Sequence, residues 1–164
     1  MRELLPDAES GHVEAQYLIG HMYYKGRGVE ENYERAVLWY RRAAEVGYAP
    51  AQYRLGNRYA KGQGVAGSDD DALIWYRRAA AQCYAKALKH LARHYFAGRG
   101  VEADPVQAYA WISLAARYGD EDAREHRADA AEKMAPNDVA KGENIAAEWL
   151  ANRDHPQCHA AWGN

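Results

Sequence analysis

Phenylalanine and cysteine are almost missing from this chain: one Phe and two Cys stand in 164 residues, beside thirteen Tyr and five Trp. Two cysteines, Cys83 and Cys158, are too few for a disulfide-stapled scaffold, and Cys83 reads as a small, buried or half-buried unpaired residue. No apolar run approaches the ~20 residues that a membrane-spanning helix needs. An excess of one charge sign is missing too, since 21 Lys and Arg meet 23 Asp and Glu for a formal net charge of -2. That balance gives no overall attraction for nucleic acid or anionic lipid, so neither a nucleic-acid partner nor membrane insertion is expected. The opening stretch MRELLPDAESGHVEAQ has no apolar h-region and reads as neither a secretory signal nor an anchor. A soluble, cytoplasmic protein is the expectation, periplasmic or secreted if a signal segment has been removed. The length suits one domain that needs no staples.

What is present is copied. Residues 13 to 47, VEAQYLIGHMYYKGRGVEENYERAVLWYRRAAEVG, align without a gap on residues 49 to 83, APAQYRLGNRYAKGQGVAGSDDDALIWYRRAAAQC, at a shift of 36. Ala15 meets Ala51, Tyr17 meets Tyr53, Gly20 meets Gly56, and Gly26 and Gly28 meet Gly62 and Gly64. Ala36, Trp39, Tyr40, Ala43 and Ala44 meet Ala72, Trp75, Tyr76, Ala79 and Ala80. The same shift continues through Ala87, Gly98, Gly100, Val101, Ala108, Trp111, Ala115, Ala116 and Gly119. A fourth copy begins at Ala123 and Ala128 but replaces the Gly-x-Gly-Val loop with KMAPND at 133 to 138. A period in this range is the signature of a repeat architecture.

Punctuation inside each copy predicts two helices. Small and apolar residues at helical spacing mark first helices over 13 to 25, 49 to 61 and 85 to 97. The Gly-x-Gly-Val loop stops each, because a tight C-terminal turn asks for the left-handed conformation. Acidic residues then gather where the second helices begin: Glu30, Glu31 and Glu34, next Asp69, Asp70 and Asp71, then Glu102 and Asp104. There they are expected to cap free amides and oppose the helix dipole, with Pro105 at a first helical position. Gly47 and Gly119 end second helices, while Cys83 takes the equivalent place and predicts a locally altered turn. Two helices cannot bury these faces alone, so the copies stack, with small residues allowing close approach and Trp39 and Tyr40 filling the wedges. The last copy, followed by a helix from about Asn137 to Ala151, reads as a terminal cap.

The pattern Ala-x-Tyr-x-Leu-Gly-x-x-Tyr-x-x-Gly-x-Gly-Val, followed by Ala-x-x-Trp-Tyr-x-x-Ala-Ala-x-x-Gly, resembles the Sel-1-like repeat, a relative of tetratricopeptide repeats. The resemblance runs from residue 8 to about 151, since Ala8 and Gly11 look like the last turn of a preceding copy. It implies an all-α, right-handed α-solenoid of antiparallel helix pairs: three full repeats (about 12–47, 48–83 and 84–119), a cap over 120–151 and a tail over 152–164. It implies equally a non-catalytic adaptor or scaffold of bacterial type, with a protein or peptide partner. A β-lactam- or metal-binding hydrolase-like protein is one alternative, β-lactam binding or hydrolysis having been proposed for relatives rich in paired cysteines, a pairing this sequence lacks; self-stacking through the open N-terminal end, giving a monomer or weak homodimer, is another.

In such solenoids first helices line the concave face. Equivalent positions then form columns: Leu18, Arg54, His90 and His126; Met22, Arg58 and His94; His21, Asn57 and Arg93. Residues 49 to 61 and 85 to 97 contain no carboxylate yet carry Arg54, Arg58, Lys61, Lys86, Lys89 and Arg93. An acidic or carboxylate-ended peptide is the partner this face suits, held by charge-assisted hydrogen bonds from arginine. Leu18, His21, Met22, Arg54, Asn57, Arg58, Lys61, His90, Arg93 and His94 are therefore the expected contact residues. Removing Arg54 and Arg58 is expected to weaken binding without lowering the melting temperature.

Other constellations are weaker. His90 and His94 have metal-ligand spacing but enclose Arg93, and His155, Cys158 and His159 sit together near the chain end; no metal or cofactor is expected. Ser10, Ser68 and Ser113 have no acid–base company, so no catalytic residue is assigned. Arg41-Arg42 and Arg77-Arg78 read as a solvated outer face with intrahelical pairing.

Overall fold

A computed structural model of the chain describes residues 3–152; His155, Cys158 and His159 lie outside them. The described residues are helical with no strand. In order they form α1 (Leu5–Glu9), α2 (Val13–Lys25), α3 (Tyr33–Glu45), α4 (Ala49–Lys61), α5 (Asp69–Ala80), α6 (Ala85–Ala97), α7 (Pro105–Arg117), α8 (Glu121–Lys133) and α9 (Pro136–Ala151). The first helix of each copy occupies the residues its spacing predicts.

The loops repeat bond for bond. Gly26, Gly62 and Gly98 end α2, α4 and α6 in the left-handed conformation, at φ 63°, 62° and 65°. The chain then folds back so that the amides of Asn32, Ser68 and Asp104 donate to the carbonyls of Tyr23, Tyr59 and Tyr95, at 2.9, 3.0 and 2.9 Å. These three returning residues also cap the helices that follow. The Asn32 side chain accepts from the Arg35 amide at 2.8 Å. Ser68 Oγ accepts from the Asp71 amide at 3.1 Å, and Asp104 from Val106 and Gln107 at 2.9 and 3.0 Å. Of the acids expected as caps, only Asp104 is one. Glu34 and Asp69, Asp70 and Asp71 instead occupy first turns, where they complement the dipole.

Second helices end in turns that share two backbone bonds, although α5 stops one residue earlier than α3 and α7 and Cys83 takes φ 58° where Gly47 and Gly119 take 98° and 93°. Gly47 and Tyr48 donate to Ala44 and Ala43, Cys83 and Tyr84 to Ala80 and Ala79, and Gly119 and Asp120 to Ala116 and Ala115. Cys83 adopts φ 58° to do so, the one non-glycine residue at positive φ among those described. Nor is it unpaired as the sequence suggested: Cys83 is disulfide-bonded. The chain's other cysteine, Cys158, lies outside the described residues.

Contacts divide the chain into two compact units, Met1–Arg78 and Ala79–Asn164. The core of the first joins Ala8, Ile19, Ala36, Trp39, Tyr40, Ala43, Ala51, Leu55 and Trp75. Glycine sets the helix spacing there. A Cβ on Gly20 would stand 2.7 Å from the Tyr40 ring, and one on Gly56 2.7 Å from the Tyr76 ring. Gln16 and Gln52 tie each first helix to the element before it, donating to the carbonyls of Ala8 and Ala44 at 3.0 and 3.1 Å. In the second unit α7 packs against α6, α8 and α9, with Gly142 of α9 against the Tyr109 ring. Among α8 residues only Ala123 is buried, as its polar sequence requires.

Candidate functional site

Helical spacing puts Tyr17, His21 and Tyr24 (i, i+4, i+7) on one face of α2, and Arg54, Arg58 and Lys61, at the same spacing, on one face of α4. The two faces meet. Arg54 Nε donates to the Tyr17 hydroxyl at a long 3.5 Å, and the Arg58 guanidinium lies 4.1 Å over the Tyr24 ring. On the α2 side the rings continue one another. Tyr17 stacks on His21 at 6.3 Å, and His21 tilts against Tyr24 at 6.0 Å. Tyr40 from α3 braces the row, its ring 5.8 Å from Tyr17 and its hydroxyl 3.4 Å from His21 Nδ1.

Charge on this face is uncompensated. Among the described residues Lys25, Arg27, Arg54, Arg58 and Lys61 make no ion pair with a carboxylate, while His12 and Glu14, off this face, approach to 3.9 Å. Glu31 bonds the Tyr33 hydroxyl and holds that group's pKa up. Titration records the excess. Burial, then the charges of Arg54, Arg27 and Lys25, lowers the His21 pKa, which leaves the imidazole neutral near pH 7. Burial alone would raise the Tyr24 pKa, but the hydrogen bond and charge of Arg58, with Lys25 and Lys61, hold it below the usual range. Burial raises that of Tyr40.

The ten residues expected from sequence separate into two groups. Leu18 is 45% exposed, Lys61 and Arg93 are exposed, and His21, Met22, Arg54 and His90 are half-buried. Asn57, Arg58 and His94 are buried at 8%, 2% and 4% exposure and serve the protein itself. Asn57 accepts from the Tyr76 hydroxyl at 2.7 Å, Arg58 Nη1 donates to Gln63 at 2.6 Å, and His94 Nδ1 donates to the Arg99 carbonyl at 2.9 Å. Removing Arg58 therefore takes out a packed, hydrogen-bonded side chain, and stability falls with it, contrary to the sequence expectation.

The second unit presents a different face. Lys89, unopposed in the sequence, is ion-paired with Asp120 at 2.8 Å and Asp122 at 3.0 Å. His90 Nδ1 donates to the Lys86 carbonyl at 2.9 Å, and burial, with Arg93 and Lys89 adding to it, pushes its pKa down to about 4. No group of three metal-ligating side chains occurs among the described residues. Two of the three serines have structural bonds: Ser10 Oγ donates to the Asp7 carbonyl and Ser68 caps α5.

Sequence reasoning passed over Tyr17 and Tyr24, although their spacing with His21 and the excess of Tyr over Phe both pointed to hydroxyl-bearing rings. Arginine uses those hydroxyls elsewhere too: Arg41 donates to Tyr59 at 2.8 Å and Arg35 to Tyr23 at 3.3 Å. Two outer arginines lie over rings, Arg42 4.6 Å over Trp39 and Arg78 4.6 Å over Trp75.

Comparison with known proteins follows this geometry. The Sel1 repeat model matches residues 13–48, 49–82 and 85–120. A Sel1 repeat protein from Oxalobacter formigenes shares 37% identity at a TM-score of 0.73, over 87% of this chain and 58% of that one. Another solved structure, c5321, a protective antigen present in uropathogenic Escherichia coli strains and displaying an SLR fold, shares 28% identity at a TM-score of 0.70, over 90% of this chain and 40% of its own. The chain thus spans less than two thirds of either protein's length. No curated protein matches it.

Proposed function

The chain belongs to the Sel1 repeat family, whose members generally mediate protein–protein interaction, and from that premise we propose that it is a non-catalytic adaptor holding an acidic peptide or protein segment against the α2–α4 face. One observation carries the reading. Arg54 is half-buried, it donates to the Tyr17 hydroxyl at 3.5 Å, and it has no carboxylate partner among the described residues. A guanidinium fork held by neighbouring rings yet left without an anion is organised in advance for a carboxylate, because little side-chain freedom remains to be lost on binding. Lys61, Lys25 and Arg27 add field, which speeds encounter with acidic partners and makes it salt-dependent. Arg58 supports the face from below as a positioning residue.

The disulfide at Cys83 favours an oxidising compartment as the place of action, since cytosolic thiols are kept reduced. This replaces the cytoplasmic expectation in our reading.

Binding is tested by fluorescence anisotropy with labelled Asp- and Glu-rich peptides and their Asn and Gln counterparts. Acidic peptides are expected to bind at least tenfold more tightly, the advantage disappearing in Arg54→Gln at unchanged melting temperature and shrinking with added salt. Equal binding of neutral peptides, or an unchanged affinity in Arg54→Gln, refutes the proposal.

A further inference from the structure

The cations of α4 are not equally available, and their spacing constrains what they recognise. Arg54 and Lys61 offer their charges outward, while Arg58 between them is 2% exposed. It is committed to Gln63 and the Tyr24 ring, and its Nε is buried without a hydrogen-bond partner. Arg58 therefore raises the potential of the face without offering a contact. Asp69 lines the same shallow recess as Lys61, yet the two form no ion pair.

Two reachable cations seven residues apart on a helix are separated by about 10.5 Å along its axis at 1.5 Å per residue. A peptide in the polyproline II conformation advances about 3.1 Å per residue with three residues per turn, so two carboxylates three residues apart lie on one face about 9 Å apart. Two residues give about 6 Å and five about 16 Å, one too short and the other too long for both cations, and each turns its second carboxylate off that face. Resting on the acidic-peptide reading above, we propose that the face selects a polyproline-II segment of the form Asp/Glu-x-x-Asp/Glu, one carboxylate on the Arg54 fork and the other on Lys61. The two intervening residues project to either side of this line, beside the His21 and Tyr24 rings, where Arg58 supplies positive potential. Aromatic or amide side chains suit those places, because a π-face or a neutral dipole packs on the rings without needing a counter-ion.

Nucleic-acid phosphates carry the same charge but fit this face less well. A single strand needs a continuous basic track with stacking platforms, whereas Glu31 on Tyr33 and the acidic first turn of α5 close the track on the Lys61 side.

The test uses labelled peptides in a Ser/Gly background carrying two Asp residues at spacings i+2, i+3 and i+5, with a peptide lacking Asp as control, at low ionic strength. Binding is expected to be tightest for i+3, by about fivefold or more over the other two spacings. Lys61→Gln should bring all three spacings to one common, weaker value, with far-UV circular dichroism unchanged. Equal affinity at all spacings overturns this inference while leaving the acidic-peptide reading intact. Loss of every acidic peptide's advantage over the control removes both. Tighter binding of a labelled single-stranded RNA than of the i+3 peptide overturns it in favour of nucleic acid.

Discussion

Replacing Gly56 by Ala adds one methyl group to α4, and the surrounding geometry fixes what that methyl meets. An added Cβ lies 2.7 and 2.8 Å from two ring carbons of Tyr76 and 3.2 Å from the Ala72 carbonyl oxygen. The ring has nowhere to go, because Tyr76 is fully buried and its hydroxyl is held by Asn57 at 2.7 Å. Overpacking of this kind costs about 1–3 kcal/mol. Ala is the better helix former by about 1 kcal/mol, so the net loss is about 0–2 kcal/mol. The third repeat holds its own solution: at a further shift of 36, Gly56 and Tyr76 become Ala92 and Ile112, both buried. Tyr76→Ile alone opens a cavity and strands the Asn57 amide, a loss of about 2–4 kcal/mol. Combined, the extra methyl fills space the ring vacates. The double variant should therefore be more stable than the sum of the single losses by about 1 kcal/mol or more in a urea-denaturation double-mutant cycle. Additivity to within about 0.5 kcal/mol would refute the idea that glycine is fixed here by the facing ring.

Two further outcomes follow. His90 binds a proton less readily folded, with a pKa of about 4, than unfolded at about 6.5. The unfolded state thus holds more protons between those values, so stability is complete above pH 6.5 and declines as pH falls toward 4, by at most about 2–3 kcal/mol. His90→Gln should flatten that decline in melts between pH 7 and 4.5, and an unchanged slope would contradict the assignment. Cys83→Gly and Cys83→Ala both remove the disulfide, but only glycine accepts φ 58° without strain, so the Gly variant should be more stable by about 1 kcal/mol. Equal stability of the two would show that residue 83 does not hold the turn left-handed, and alkylation of the wild-type protein at harvest should find Cys83 blocked until reductant is added.

The fold was legible because repetition multiplies weak signals. One Gly-x-Gly-Val loop is only a turn, but three at a constant shift, each after the same Tyr and before the same Trp, predict the same helix boundaries three times, and α2, α4 and α6 adopt them. Capping chemistry was legible in kind but not in person. Asn32 and Ser68 cap α3 and α5 because each follows the returning loop by one hydrogen bond, which acid clustering does not reveal. Cys83 was misread because a cysteine where glycine belongs signals strain, while its bonded partner depends on distance in space.

The site followed the same division. The sequence by itself determined that α4 and α6 carry bases without acids at helical spacing, because charge and period are local properties. Which bases remain available was decided only by tertiary structure, since burial and pairing are set by neighbours distant in the chain. Arg58 went under the Tyr24 ring, Lys89 was neutralised by Asp120 and Asp122, and Asn57 was taken by Tyr76, leaving Arg54 and Lys61 reachable. Even the preference for Tyr over Phe found its reason there: rings that fill the core also present hydroxyls, and arginines and polar side chains from neighbouring helices bond to them.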